Sequence, residues 1–180
     1  MSVSDEIKEI SKTIRETLYN EQYEESVKLC TKLIELLKKN TEDTKDSNLW
    51  YAYYSRGNSY YKLKQYHKAL LDVEESFYYV GSVDKLNDQY TFSLWLVAAI
   101  EARTGNKNNA IGKYKMLSKF YKAMGYPNLR IAAIYNIAEL LNKTDKMFKL
   151  KEIANTYERL RSNKTNLTKK ELINQMKNKK

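Results

Sequence analysis

The sequence predicts an all-α fold, an array of about four helix pairs closed by a C-terminal capping helix. Three observations carry this expectation. The 180 residues contain 1 Pro and 5 Gly, so little in the chain interrupts a helix. Apolar residues recur three and four positions apart through most of the chain, the period of an amphipathic helix. Small residues return at Gly57, Ala98 and Ala138, spaced by 41 and then 40 residues. Small residues are needed at intervals where the paired helices of a repeat cross closely.

The elements follow in order. Ser4, ahead of Asp5 and Glu6, reads as a helix cap with acids in the first turn. Ile7, Ile10, Ile14 and Leu18 then fall on one helical face. After a break at Asn20–Gln22, Tyr23, Ser26, Val27, Cys30, Leu33 and Ile34 repeat the period. Cys30 on this face reads as a small core residue. The polar stretch 41–49 is expected to be a loop, with Asp46, Ser47 or Asn48 capping the next helix. Trp50–Val80 forms the central pair, turning at Lys64–Gln65. His67, just after that turn, reads as a solvated residue with no assigned role.

A second loop covers Gly81–Asp88. Phe92, Leu94, Trp95, Val97, Ala98 and Ala99 mark the next helix, which breaks at Thr104–Asn106 before Ala110 and Tyr114 resume the pattern. Pro127 ends that return helix. The fourth pair has Ile134, Ile137, Ala138 and Leu141, a turn near Thr144–Asp145, then Leu150, Ile153, Ala154 and Tyr157. Thr168-Lys169-Lys170-Glu171 fits a capping box, with Leu167 and Leu172 as its staple. A short helix from there would carry Leu172, Ile173 and Met176 on one face.

The central pair carries a family resemblance. Counted from Trp50 as the first position of a 34-residue unit, Tyr53 falls at position 4, Gly57 at 8, Tyr60 at 11, Tyr66 at 17, Ala69 at 20, Val73 at 24 and Ser76 at 27. This spacing resembles the tetratricopeptide repeat. Arg56 departs from it where Leu is usual, and Gly81 where a Pro usually ends the unit. The resemblance implies a single domain over 1–180, with repeats at about 7–40, 50–83, 91–124 and 131–162, a capping helix at about 168–178, and a right-handed superhelix. The long repeats also resemble the repeat domains of peptide-sensing regulators from Gram-positive bacteria and their phages.

Composition narrows the setting. The single cysteine excludes an internal disulfide and suits a reducing compartment. No apolar run reaches the roughly 18 residues of a membrane span, and the first residues lack a signal-peptide layout. A cytoplasmic protein with no membrane contact is expected. The net charge of +10 is unevenly spread. Residues 105–180 hold 18 Lys/Arg against 5 Asp/Glu, and residues 1–104 hold 14 against 17. Such asymmetry suits an acidic partner or nucleic acid, although no DNA-binding motif is visible.

No phosphate loop, metal-ligand spacing or nucleophile elbow occurs, so no enzyme activity and no cofactor are expected. Binding is better supported. In the resembled family, positions 2, 5, 9, 12 and 13 of each first helix line a concave groove. Those positions here are Tyr51, Tyr54, Asn58, Tyr61 and Lys62, then Phe92, Trp95, Ala99, Ala102 and Arg103, then Ala132, Tyr135, Glu139, Asn142 and Lys143. The resemblance therefore implies a regulatory adaptor gripping a protein segment or short peptide, acidic ones included, through Tyr51, Tyr54, Asn58, Tyr61, Lys62, Phe92, Trp95, Arg103, Tyr135 and Asn142. Aromatic and Arg side chains are the usual anchors of interfaces. The alternative expectations are a receptor for a signalling peptide and a nucleic-acid-associated protein using the basic C-terminal half. The Tyr-rich helix faces could equally pair two copies.

Overall fold

A computed structural model of the chain describes residues 2–40, 46–81, 88–142 and 151. Regular structure among them is entirely helical: α1 (Val3–Tyr19), α2 (Tyr23–Lys39), α3 (Asp46–Lys62), α4 (Tyr66–Ser76), a 3₁₀ turn at Phe77–Tyr79, α5 (Asp88–Arg103), α6 (Lys107–Met124) and α7 (Pro127–Leu140). The chain forms two compact units, Met1–Ala110 and Ile111–Lys180. The expected turn at Thr144–Asp145, the return helix through Tyr157 and the capping helix lie outside the described residues.

Helix starts follow local hydrogen bonding. The Ser2 hydroxyl accepts from the Asp5 amide at 3.2 Å, and the Asp5 carboxylate accepts from the Ser2 amide at 3.3 Å. This reciprocal box begins α1 two residues before the expected cap at Ser4, because it satisfies two orphan donors at once. Asp46, Ser47 and Asn48 likewise stand inside α3 rather than capping it. Asp46 occupies the first turn, where a negative charge suits the helix dipole.

One turn design closes α1, α3 and α5. Glu21 (φ 58), Lys64 (φ 60) and Gly105 (φ 92) each take the left-handed conformation. The next amide then reaches back five residues: Gln22 to the Thr17 carbonyl (2.8 Å), Gln65 to Tyr60 (2.8 Å) and Asn106 to Glu101 (2.9 Å). These bonds satisfy carbonyls that a helix end would otherwise strand. Left-handed backbone costs a non-glycine residue about 1–2 kcal/mol, so only a repeated structural demand keeps Glu and Lys there. In the second unit the same closure joins Tyr126 to Tyr121 at 2.8 Å across Gly125. The helix after it stops early. α7 ends at Leu140 with Asn142 left-handed at φ 53, so the break falls before the expected turn at Thr144–Asp145.

Within the first unit each helix packs on the next, from α1 through α5, and α3 also touches both α1 and α5. Ile7, Ile10 and Ile14 of α1 form one core with Cys30, Leu33 and Leu37 of α2 and Ala52 and Tyr53 of α3. Ala69 and Val73 of α4 form another with Leu96, Val97 and Ile100 of α5. The tightest approach is at Gly57. A Cβ there would stand 2.7 Å from Val73 Cγ2 and 3.2 Å from the Ala69 carbonyl oxygen, so only glycine lets α3 and α4 meet. Cys30 is buried in the first core, and burial pushes its thiol up to about 12. Such a thiol stays protonated and unreactive.

The departure at Arg56 is compensated. Its Nε and Nη2 each lie 2.7 Å from a carboxylate oxygen of Asp72 on α4, and Nη1 donates to Thr31 of α2 at 3.0 Å. The guanidinium also lies 5.5 Å from the Tyr53 ring centroid. A charge inside a helical core is tolerated only when paired and hydrogen-bonded. Arg56 meets both conditions and ties three helices together.

Candidate functional site

The candidate site lies in the first unit, where α3 and α5 adjoin. Successive turns of α3 present Trp50, Tyr54 and Asn58, since residues four apart share a helix face. Trp50 stacks on Tyr54 with centroids 5.1 Å apart and planes 12° from parallel. Tyr54 in turn meets Phe92 of α5 at 6.4 Å and 39°. Three aromatic rings thus run across two helices. Phe92 is 39% exposed, so this strip opens to solvent. Trp50, Tyr54, Asn58 and Trp95 are half-buried.

A buried relay holds the strip in place. The Trp50 indole N–H donates to the Ser93 hydroxyl of α5 at 3.0 Å. Ser93 and Ser76 of α4 share a 2.9 Å bond, and Ser76 donates to the Val73 carbonyl at 2.6 Å. Every donor is used if the protons run from Trp50 to Ser93 to Ser76 to Val73. Both serines are fully buried, so leaving one unpaired would cost about 1–3 kcal/mol. The indole is thereby oriented before any ligand arrives, which lowers the entropic cost of binding.

Asn58 completes the face one turn beyond Tyr54. Its side-chain amide makes no hydrogen bond to any described residue, so a donor and an acceptor are both available. An extended peptide backbone presents the complementary pair whatever its sequence. Lys62 follows one turn later, exposed in the last turn of α3.

The other expected residues sort differently. The Tyr51 hydroxyl donates to the Ser11 carbonyl of α1 at 3.3 Å, and its ring packs against the first core. Burial raises its phenol pKa above the usual value. Tyr51 is therefore an inter-helix contact. Tyr61 packs against the second core and meets Tyr66 at 5.9 Å. Tyr54 packs against the same second core, so Tyr61 differs from it in meeting Tyr66 rather than Phe92. Arg103 is exposed in the last turn of α5, while Ala99 and Ala102 are half-buried. Tyr135 and Asn142 belong to the second unit. There the Lys151 ammonium lies 5.6 Å from the Tyr135 ring centroid. Asn142 lies beyond the end of α7 as a left-handed turn residue, which removes it from the helical face on which it was expected.

Two contacts repeat between successive pairs. Tyr51 touches Ser11 of α1, three residues before Tyr54 on its own helix. Phe92 touches Tyr54 of α3, three residues before Trp95. Tyr51 and Phe92, each near the start of its helix, thus both reach the preceding odd-numbered helix.

Sequence reading missed Trp50 and its serine partners. The i, i+4 spacing of Trp50 and Tyr54 was a usable signal for the stack. Ser76 fell at a small-residue position of the repeat spacing, but its bond to Ser93 was not legible because it spans 17 residues of chain.

Among the described residues no group of three His, Cys, Asp or Glu side chains could hold a metal ion. No helix among them is long and apolar enough to cross a membrane. No protein-family model, curated protein or solved structure matches the chain.

Proposed function

We propose that the chain is a non-enzymatic adaptor of the tetratricopeptide type, its helix pairs stacked in a right-handed superhelix. Its first unit captures an extended protein segment or short peptide across α3 and α5. The observation that carries this reading is the pre-oriented strip of Trp50, Tyr54 and Phe92 beside the unpaired amide of Asn58. The repeat assignment is supported by the shared turn closure at Glu21, Lys64 and Gly105, and by the two matching junctions between first helices.

The strip suits a segment with apolar or aromatic side chains on a backbone that Asn58 can bond. Each well-packed anchor contributes on the order of 1–2 kcal/mol. Three such anchors and a backbone bond give a gross gain of about 4–7 kcal/mol before the cost of ordering the ligand, so capture is weak and reversible.

Selection of peptides from a random displayed library on the intact chain tests the proposal. The Phe92→Ala/Asn58→Ala double variant should lose capture of the selected peptides by at least about tenfold, with its melting temperature nearly unchanged. Phe92 is 39% exposed and the Asn58 side chain bonds no described residue, so both changes should leave the fold nearly as stable. Full capture by the folded double variant would rule the strip out as the binding surface.

A further inference from the structure

We infer that the outward face of α6, in the second unit, binds single-stranded nucleic acid through Lys115, Lys119 and Lys122. This surface is separate from the aromatic strip and does not depend on it. Ile111, Tyr114, Leu117 and Tyr121 are the buried side of the helix, and Gly112, Lys115, Lys119 and Lys122 are exposed. These four exposed residues recur three and four apart, so they form one straight stripe. From Lys115 to Lys122 the stripe is about 10 Å long at 1.5 Å per residue. Three lysines along that length can contact successive phosphates of one strand.

Among the described residues nothing compensates the charge on this stripe. No Asp or Glu occurs between Glu101 and Glu139. Lys115, Lys119 and Lys122 make no ion pair with any described residue. In the first unit, by comparison, Lys28 pairs with Glu25 at 3.1 Å and Lys32 with Glu6 at 3.0 Å, although Lys12, Lys39, Lys62 and Lys64 have no ion pair with a described residue. Like charges four apart on a helix repel, so the stripe opposes helix stability and gains nothing from packing.

Gly112 is a second, independent observation. It lies inside α6, where glycine weakens a helix relative to alanine. At Gly57 close packing demands glycine, but a Cβ at Gly112 would have nothing within 4 Å. Packing gives no reason for it. A bare backbone on the lysine stripe lets a sugar–phosphate chain approach closely. Beyond the end of α6, Tyr126 is 39% exposed and offers a ring on which a base can stack. A bilayer surface fits less well, because interfacial helices insert an apolar face, and that of α6 is already buried.

Fluorescence anisotropy of the intact chain with labelled oligo-dT across a salt series tests the inference. Three phosphate contacts predict a slope of log affinity against log salt of about −2. The variant K115Q/K119Q/K122Q should remove most of that slope and weaken binding about tenfold or more at low salt. Gly112→Ala should raise the melting temperature yet weaken oligonucleotide binding. An unchanged slope in the folded triple variant would place the contacts elsewhere and overturn the inference. So would poly-glutamate of equal charge competing as well as oligo-dT, which would indicate an acidic protein partner, or a duplex binding as tightly as the single strand.

Discussion

Replacing Asp72 by Ala should destabilise the first unit by about 3–5 kcal/mol. Asp72 is 7% exposed and supplies both oxygens that Arg56 grips at 2.7 Å. Burial works against the guanidinium charge, but its bonds to Asp72 outweigh that, so the Arg56 pKa lies above its ordinary value. Without the carboxylate the guanidinium would keep its charge in a place from which water is largely excluded. Most of the penalty is this stranded charge and little is the pair itself. The test is therefore a comparison. Urea melts of Asp72→Ala should show the large loss, whereas Arg56→Leu/Asp72→Leu should lie close to the parent, since apolar residues of similar volume can replace a buried pair at little cost. A single variant as stable as the parent would show that the pair is not held as described.

Gly57→Leu should cost more than about 2 kcal/mol by overpacking. The first added carbon already stands 2.7 Å from Val73 Cγ2 and close to the α4 backbone, which cannot yield as a side chain can. Even Gly57→Ala should destabilise. On helix propensity alone that change would gain about 1 kcal/mol, so its sign reports the close approach of α3 to α4. Thermal melts of the two variants give that sign directly. A stabilised Gly57→Ala would mean that the helices cross elsewhere.

The sequence made some features legible and hid others, for physical reasons. The helices were readable because apolar residues recur at helical spacing, as in Ile7, Ile10 and Ile14, and because breakers are few. Gly57 was readable because a small residue in a Tyr-rich stretch marks a close crossing. Three of the hairpin turns fell where polar residues or glycine interrupted the pattern. After α7 the described residues reach left-handed Asn142, while the turn expected near Thr144–Asp145 lies outside them. Arg56 looked like a departure because its partner Asp72 is 16 residues away, on another helix. In the site, Tyr54, Asn58 and Phe92 were named from position alone. Position could not tell that Tyr51 bonds across to the Ser11 carbonyl of α1 or that Tyr61 meets Tyr66 of α4, because these partners are set by how neighbouring helices pack.

The most direct measurement of the central claim uses the 2 tryptophans of the chain, Trp50 and Trp95, which lie on α3 and α5. Trp50→Phe and Trp95→Phe each leave one emitter beside the proposed binding face. A library-selected peptide without tryptophan is titrated into each variant, with binding followed in parallel by calorimetry. Capture on the strip predicts that the emission of both variants changes and saturates at the calorimetric equivalence point. Unchanged emission in both, at peptide concentrations that saturate the heat of binding, would contradict it.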